Sequence, residues 1–144
     1  MSKITLRKFQ ARIRAYYKKN RRDLLWRNTK NPYEILVSEI MLQQTQVARV
    51  SMMYQPFLQK FPDFEKLAHA QVVEVLSAWR GLGYHRRALA LKKIAEIVQE
   101  KYAGRLPQSM ELLDALPGIG KGTAGAMRAF AFNLPTIFIE TNIR

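Results

Sequence analysis

The sequence has 144 residues, about the length of a single domain. Because 48% of the residues are hydrophobic, the chain can form a sizeable core, and intrinsic disorder is not expected. The 24 Lys and Arg residues outnumber the 11 Asp and Glu residues, which gives a net charge of +13. This excess recurs along the whole chain, so it favours a nucleic-acid partner over a charge that serves only solubility.

Several classes of protein are excluded or disfavoured. The absence of cysteine excludes disulfides and thiolate metal sites within these residues, and two histidines cannot form a zinc site alone. No apolar run approaches the roughly 20 residues that span a bilayer, and the N-terminus does not resemble a secretory signal. We therefore expect a soluble cytoplasmic, nucleoid-associated protein with no membrane partner and no metal site in this chain.

Helical periodicity predicts an all-α fold with short connections. The first helix is amphipathic with a basic outer face, since Leu6, Phe9, Ile13, Tyr16 and Tyr17 recur at helical spacing between Arg and Lys residues. The second begins at Asn31-Pro32, a cap followed by a proline at the first helical position, with Glu34 placed for a capping box. It is apolar on nearly every side up to Leu42, so we expect it to be central and buried.

The remaining helices are predicted from capping signals and apolar spacing. Thr45 is expected to cap a helix that carries the apolar residues from Val47 to Leu58. Further helices are predicted over 64–70, 72–79, 89–102 and 109–116. A last helix of small residues follows the turn 117–120 and extends to Phe132. No convincing strand alternation appears.

Glu39 is the first candidate for chemistry. It lies on an apolar face of the second predicted helix, between Ile35, Leu36 and Leu42. Desolvation of a carboxyl there raises its pKa, which suits a general acid. The alternatives are a salt bridge with a basic neighbour or a side chain that reaches solvent, and position alone favours these alternatives.

The turn Pro117-Gly118-Ile119-Gly120 is the second candidate. Two glycines at a helix start expose main-chain N–H groups, which can bind a phosphate, and Lys121 adds positive charge. An ordinary αα turn is the alternative. Gly120, Gly122 and Gly125 also match a dinucleotide fingerprint, but no strand precedes them, so a DNA phosphate is favoured.

Three further segments have polar or aromatic residues at turns. Gln43 and Gln44 interrupt the apolar pattern and can enter a groove or a base stack, although a solvated turn is equally compatible. In the turn 81–87, Tyr84 can wedge between bases while two arginines hold phosphate, or the tyrosine can pack on its own helix. Trp26 is either a hydrophobic anchor or part of a site.

In order along the chain, these motifs resemble the helix-hairpin-helix DNA glycosylase superfamily, and within it the A/G-specific adenine glycosylases. The resemblance covers the chain from about residue 5 to the end. The motifs that carry it are Leu24-Leu25-Trp26-Arg27, Asn31-Pro32-Tyr33, Ser38-Glu39-Ile40-Met41-Leu42-Gln43-Gln44-Thr45-Gln46, Gly81-Leu82-Gly83-Tyr84, and Leu116-Pro117-Gly118-Ile119-Gly120 with Thr123-Ala124-Gly125-Ala126. The Met-Leu-Gln-Gln-Thr-Gln run and the Trp-Arg pair separate this branch from endonuclease III.

The resemblance implies an enzyme that flips adenine paired with 8-oxoguanine, or with guanine, out of duplex DNA and hydrolyses its glycosidic bond. Glu39 is implied to protonate the adenine ring and activate water, and Glu140 to stabilise the oxocarbenium-like sugar. The other implied roles concern three groups of residues. They are a base pocket of Leu24, Trp26, Arg27 and Val47; contacts to the base stack or lesion by Gln43, Gln44, Tyr84 and His85; and a phosphate-binding segment of Pro117, Gly118, Ile119, Gly120, Lys121, Gly122 and Thr123, with a monovalent cation at the hairpin.

Two residues depart from the family pattern. Relatives usually have aspartate where this chain has Glu140, which moves the carboxylate outward by about 1 Å, and such a shift can cost about a hundredfold in rate. The lyase branch has a lysine where this chain has Gly122, so simple hydrolysis without strand cleavage is expected.

The resemblance also predicts the organisation of the chain. Residues 1–22 form a helix that would pack on further C-terminal helices, 23–133 form a six-helix barrel-like domain, and 134–144 begin a second helical domain. Relatives continue with a four-cysteine iron–sulfur site, so we expect a fragment or a split gene. The first helix is then expected to expose an apolar stripe. The expected state is a monomer bound to duplex DNA, or one completed by a segment supplied elsewhere.

Three alternative functions are left open by the sequence. The chain could act as an endonuclease III-like glycosylase and lyase on oxidised pyrimidines. It could be a non-catalytic module that binds duplex DNA, in which case affinity depends on salt and no base is released. Least favoured is a helical scaffold whose charge is incidental.

Overall fold

The computed structural model describes residues 3–138. Within that range the regular secondary structure is all helix, without strands, as the sequence predicts. No helix in this part of the chain is both long and apolar enough to cross a membrane. Eight α-helices and one short 3-10 helix (Leu25–Arg27) follow one another. The α-helices are α1 (Lys3–Asn20), α2 (Pro32–Leu42), α3 (Val47–Lys60), α4 (Phe64–His69), α5 (Val72–Ala78), α6 (Arg86–Tyr102), α7 (Met110–Asp114) and α8 (Lys121–Phe130).

Helix α2 is the central element of the fold. It begins at the predicted residues, because the Asn31 side chain accepts a hydrogen bond from the Tyr33 amide (3.0 Å) and Pro32 occupies the first turn. The predicted capping box is wrong, since the Asn31 amide donates to the Thr29 hydroxyl (3.1 Å) and not to the Glu34 carboxylate. Seven of its eleven residues are buried, and it packs against α3, α6 and α8. The prediction of a buried central helix is confirmed.

The core is built mainly from aromatic and branched side chains. Phe57 of α3 contacts the Trp79 ring edge-to-face, with centroids 5.7 Å apart, and also contacts Phe61 at 5.1 Å. Such pairs stabilise a core beyond the area that they bury. The turn that follows Trp79 is thereby fixed to the core, and this turn forms part of the candidate site.

Two predicted helix starts are wrong. Thr45 does not cap α3; Gln46 takes the N-cap position without a side-chain bond, because the Thr45 hydroxyl instead accepts a hydrogen bond from Arg87 Nη2 (2.9 Å). Helix α6 begins at Arg86, before the predicted Leu89. The helix begins with two arginines, which fall outside the apolar periodicity, although the Arg87 amide already bonds to the Tyr84 carbonyl (2.9 Å).

Helix α1 contributes no buried residue. Its apolar stripe is exposed: Phe9 retains 55% of its accessible surface, Ile13 52% and Tyr16 72%. The same helix carries no acidic residue, and its basic residues are Lys3, Arg7, Lys8, Arg12, Arg14, Lys18 and Lys19. The expectation of an exposed amphipathic helix is confirmed for the described residues.

Candidate functional site

An open cleft of about 1620 Å³ brings together most of the predicted site residues. Its walls come from the end of α1, the 3-10 helix and its flanking loops, α2, the loop to α3, the turn before α6 with the start of that helix, and the hairpin with both ends of α8. The predicted residues that line it are Leu24, Trp26, Arg27, Glu39, Gln43, Gln44, Val47, Tyr84, Gly118, Gly122 and Thr123. Five others lie outside its lining, namely His85, Pro117, Ile119, Gly120 and Lys121.

The cleft is strongly basic. Among the described residues that line it, the cations are Arg22, Arg27, Lys30, Arg86 and Arg87, and Glu39 is the single carboxyl group. A concave surface with one sign of charge concentrates ligands of the opposite sign. A polyanion is therefore the class of ligand that this surface favours.

Glu39 is half-buried on α2, at the wall of the cleft. Its neighbours along the chain are buried, and Ser38 donates its hydroxyl to the Ile35 carbonyl (2.7 Å). Glu39 is thus placed on a rigid, well-packed helix, which is the arrangement that a precise site needs. Glu140, the other predicted carboxylate, lies outside the described residues.

Trp26 belongs both to the core and to the lining of the cleft. Its side chain is only 9% exposed and belongs to the core, where it meets the Tyr54 ring edge-to-face at 5.4 Å, yet it also lines the cleft. Arg27 beside it donates to the Arg22 carbonyl (3.1 Å) and stacks over Tyr17, 5.9 Å from the ring centroid. An aromatic wall with an adjacent cation suits a planar, polar group such as a nucleobase.

The hairpin between α7 and α8 has the geometry of an anion site. Gly118 has a positive φ of 74°, and the Ile119 amide bonds back to the Leu116 carbonyl (3.2 Å). Gly120 caps α8 without a side-chain bond, and the first turn of α8 holds no acidic residue. The first N–H groups of a helix have no intrahelical acceptor, so they can bind a phosphate oxygen.

Gln43 joins this hairpin to α2. Its amide Nε2 donates to the Gly118 carbonyl (3.2 Å) and to the Thr123 hydroxyl (3.3 Å). This contact links parts of the chain that are 75 and 80 positions apart. Gln43 and Gln44 therefore differ, because the Gln43 amide bonds within the protein whereas Gln44 is exposed at the cleft.

The small residue Gly125 gives the chain after α8 a close approach to that helix. A Cβ atom at position 125 would lie only 2.8 Å from the Phe138 Cβ. The Phe138 ring also packs edge-to-face on Phe130, at 6.3 Å. Phe138 is thus seated on α8 at a point where only glycine fits.

Arg87 does not hold phosphate, contrary to the sequence-based expectation for the two arginines of this turn. It is buried, 9% exposed, and burial lowers the pKa of its guanidinium, which nonetheless stays charged because an arginine pKa starts so high. Its neighbour Arg86 remains exposed. The six oxygen atoms that accept from Arg87 are the carbonyls of Ile40, Met41, Gln43, Leu82 and Gly83 and the hydroxyl of Thr45.

The residues of this chain do not fit an iron–sulfur cluster. The sequence has no cysteine, and residues 3–138 contain no group of three or more His, Cys, Asp or Glu side chains that could hold a metal ion. Thiolates are the usual ligands of such clusters.

Comparison with known proteins identifies relatives that share this organisation. Residues 37–144 match the family described as "HhH-GPD superfamily base excision DNA repair protein". The adenine DNA glycosylase of Buchnera aphidicola subsp. Baizongia pistaciae is 41% identical over 140 residues, covering 97% of this chain and 40% of the relative. The Mus musculus protein of the same name is 39% identical over 94% of this chain and 28% of its own length.

Solved structures agree with the fold. A thermostable thymine-DNA glycosylase superposes with a TM-score of 0.83 and 33% identity, over 89% of this chain and 59% of its own. Endonuclease III in a non-covalent DNA complex superposes with a TM-score of 0.82 over 99% of this chain and 66% of its own. At 23% identity, the second likeness shows a common fold alone.

The chain spans less than half the length of these two curated relatives. The family match nevertheless covers three-quarters of the chain, including α2 from Val37 onward, the part of the cleft lining that begins at Ser38, and the hairpin. The chain therefore belongs to the HhH-GPD superfamily of base excision DNA repair proteins.

Proposed function

We propose that this chain carries the catalytic core of a DNA glycosylase that removes adenine paired with 8-oxoguanine, or with guanine, by hydrolysing the N-glycosidic bond. The observation that carries the proposal is the placement of Glu39. It is the one carboxyl group among the described residues of a basic cleft, between an aromatic wall at Trp26 and the phosphate-binding geometry of the hairpin. The names of the curated relatives supply the substrate class.

Under this proposal, the duplex lies across the cleft and the target nucleotide rotates out of the base stack. The N–H groups at the start of α8 bind a backbone phosphate, and Leu24, Trp26, Arg27 and Val47 surround the extruded base. Gln44 fills the gap in the stack, while Tyr84 wedges beside the oxidised guanine. Both of these side chains are exposed and line the cleft, as such roles require.

The chemistry needs an acid for the leaving base and a negative charge for the sugar. Protonated Glu39 gives its proton to the adenine ring, and the bond between the ring nitrogen and C1′ breaks with its electron pair leaving on the base. Glu140 is proposed to stabilise the positive charge on the sugar. The Glu39 carboxylate then takes a proton from the water molecule that adds to C1′.

Hydrolysis is favoured over a lyase reaction at Gly122. A lyase needs an amine that forms a covalent bond with C1′, and glycine offers none at this position of the cleft lining. Strand nicking without added alkali, with a borohydride-trapped adduct, would contradict this part of the proposal.

The test uses a duplex that contains one adenine opposite 8-oxoguanine. We expect the wild-type chain to produce abasic sites, and Glu39→Gln to lower the rate at least about a hundredfold, because a general acid typically contributes that much. Glu34→Gln is the matched control, since Glu34 is in the first turn of the same helix and outside the cleft lining. An unchanged rate in Glu39→Gln would end the assignment.

A non-catalytic DNA-binding module is the second candidate, favoured by the basic lining of the cleft, which attracts a polyanion whether or not a base is released. It predicts that the wild-type chain binds the same duplex with strong salt dependence and releases no base. Base release and affinity, measured on one preparation, separate the two candidates.

A further inference from the structure

One buried guanidinium joins the two turns that face the cleft. Arg87 Nη1 donates to the carbonyls of Ile40 (3.0 Å) and Met41 (2.8 Å) at the end of α2 and to the Gln43 carbonyl. Arg87 Nη2 donates to the Leu82 and Gly83 carbonyls (3.0 and 3.1 Å) and to the Thr45 hydroxyl. The same side chain therefore fixes the loop 43–46 and the turn 81–84.

Each of these turns holds a non-glycine residue in the left-handed backbone region. Gln44 has a φ of 56° and Tyr84 a φ of 46°. Such a conformation is costly for a residue with a Cβ atom and persists only where its surroundings hold it.

The bonds of Arg87 fall on the neighbours of both strained residues. Gln44 lies between two acceptors of Arg87, the Gln43 carbonyl and the Thr45 hydroxyl. Tyr84 follows the Gly83 carbonyl, and its ring lies 5.6 Å from the guanidinium carbon. The guanidinium carbon also lies 5.4 Å from the centroid of the Trp79 ring, which belongs to the core.

The charge of Arg87 is stabilised within the protein rather than by a ligand. Carbonyls at the C-terminus of a helix carry partial negative charge, so α2 provides a favourable site for a cation. The planar fork of arginine reaches two turns at once, which the single ammonium of lysine cannot do. With six protein acceptors and 9% exposure, this side chain serves to position the two turns.

We propose that Arg87 is a positioning residue that holds Gln44 and Tyr84 in their DNA-entering conformations together, so that both penetrate the duplex as one preformed unit. This inference rests on the proposed function, because it takes the two exposed side chains to be the ones that enter DNA. It assigns to Arg87 no contact with the substrate.

The first test needs no DNA. Hydrogen exchange is measured on wild type, Arg87→Met and Arg87→Lys, with Lys92→Met as the control. Lys92 is also a buried cation that donates to a main-chain carbonyl, that of Ala68 (2.8 Å), and it is outside the cleft lining. We expect amides of both 43–46 and 82–85 to exchange at least about tenfold faster in Arg87→Met, and amides of at least one of these turns in Arg87→Lys, with no change in the control. Faster exchange in only one of the two turns of Arg87→Met would overturn the proposal.

The second test is a double-mutant cycle on DNA affinity. The quantity measured is the affinity for a duplex with adenine opposite 8-oxoguanine, divided by the affinity for a matched duplex. The Glu39→Gln background prevents turnover. We expect Arg87→Met to lower this affinity ratio about tenfold or more. When Gln44→Ala or Tyr84→Ala is added to Arg87→Met, the ratio should fall by less than about a further threefold. In the Lys92→Met background, Gln44→Ala or Tyr84→Ala should lower the affinity ratio as much as it does without that change.

The outcomes separate this inference from the proposed function. Additive losses in the Arg87→Met background, or equal losses on mispaired and matched duplexes, would overturn the inference. If Arg87→Met does not fold, Arg87→Lys serves in the same cycle, since it keeps the positive charge but cannot bond to both turns at once. Absence of base release by wild type would contradict the proposed function alone, because exchange and affinity are read without it.

Discussion

At the scale of single residues, two buried phenols tie the second and third helices to their surroundings. Tyr33 donates its hydroxyl to the Phe61 carbonyl (2.6 Å), and Tyr54 donates to the Glu34 carbonyl (3.1 Å). Burial, reinforced by nearby Asp63 and Glu34 respectively, raises the pKa of Tyr33 and of Tyr54 far above the usual value for tyrosine. Both side chains therefore stay neutral in the folded protein at any pH near physiological.

The raised tyrosine pKa values predict a loss of stability in alkali. Below about pH 10 the phenols are protonated in both the folded and the unfolded states. Above it the unfolded state releases protons that the folded state retains, so the free energy of unfolding falls by up to about 1.4 kcal/mol per pH unit for each phenol. Urea unfolding of wild type and Tyr33→Phe/Tyr54→Phe between about pH 9 and 11 measures this, and the double variant should show the shallower decline.

Tyr16 provides the control, since it is 72% exposed. The Tyr16→Phe variant loses a phenol that folding does not bury, so its free energy of unfolding should depend on pH as that of wild type does. An equally steep decline in the double variant would contradict the prediction.

The residue scale also shows a limit of sequence reasoning. Arg87 stands in the sequence as one of two arginines after a glycine-rich turn, a pattern that favours phosphate binding. Three of its acceptors lie 44 to 47 positions earlier in the chain, and no local pattern indicates them. By contrast, the Asn31 cap was predictable because its side chain accepts from an amide only two residues along the chain, that of Tyr33.

At the scale of elements, the helices divide into core helices and α1. Apolar spacing predicts that α1 is amphipathic, but spacing alone does not say whether a partner covers it. Within the described residues, α1 buries no side chain. Its apolar face therefore contributes little to the stability of the rest.

This division predicts opposite outcomes for two phenylalanines. Phe9→Ala on α1 should change the free energy of unfolding by less than about 0.5 kcal/mol, because Phe9 is 55% exposed. Phe57→Ala in the core should cost about 3–5 kcal/mol, because Phe57 is 1% exposed. Denaturant unfolding of both variants checks this, and a large loss in Phe9→Ala would mean that α1 is packed in solution.

The hairpin gives a second matched pair. Gly118→Ala should lose about 1–3 kcal/mol of stability, because the positive φ at this position is strained for a residue with a side chain. The added Cβ atom would also lie 3.0 Å from the Ala90 Cβ. Gly122→Ala should be neutral or gain up to about 1 kcal/mol, because its Cβ would meet no atom within 4 Å. Thermal unfolding without DNA compares them; equal effects would show that the hairpin tolerates a side chain at position 118.

At the scale of the whole molecule, charge and shape act together. The net charge of +13 predicts a polyanionic partner from composition alone, and the order of motifs predicts an all-α fold of this family. The cleft itself was not predictable from spacing, since its walls come from segments as far apart in the chain as Tyr17 and Phe130. Resemblance to a family, not periodicity, brought Glu39, Tyr84 and the hairpin into one hypothesis.

The basic cleft predicts how salt affects DNA affinity. The logarithm of the binding constant should fall linearly with the logarithm of salt concentration, and Arg86→Ala should make that slope shallower by about 1. Lys101→Ala, at the far end of α6, should leave it unchanged. Fluorescence anisotropy across a salt series reads both slopes, and equal slopes would place the duplex away from this cleft.

The seat of Phe138 on α8 carries a consequence for evolution and design. A helix glycine is an obvious target for replacement by alanine, since alanine favours the helical state. At position 125 that added methyl group would instead push aside the aromatic ring resting on it. A change intended to strengthen a helix would thus displace Phe138, which precedes by two positions in the sequence the carboxylate that is proposed to stabilise the sugar.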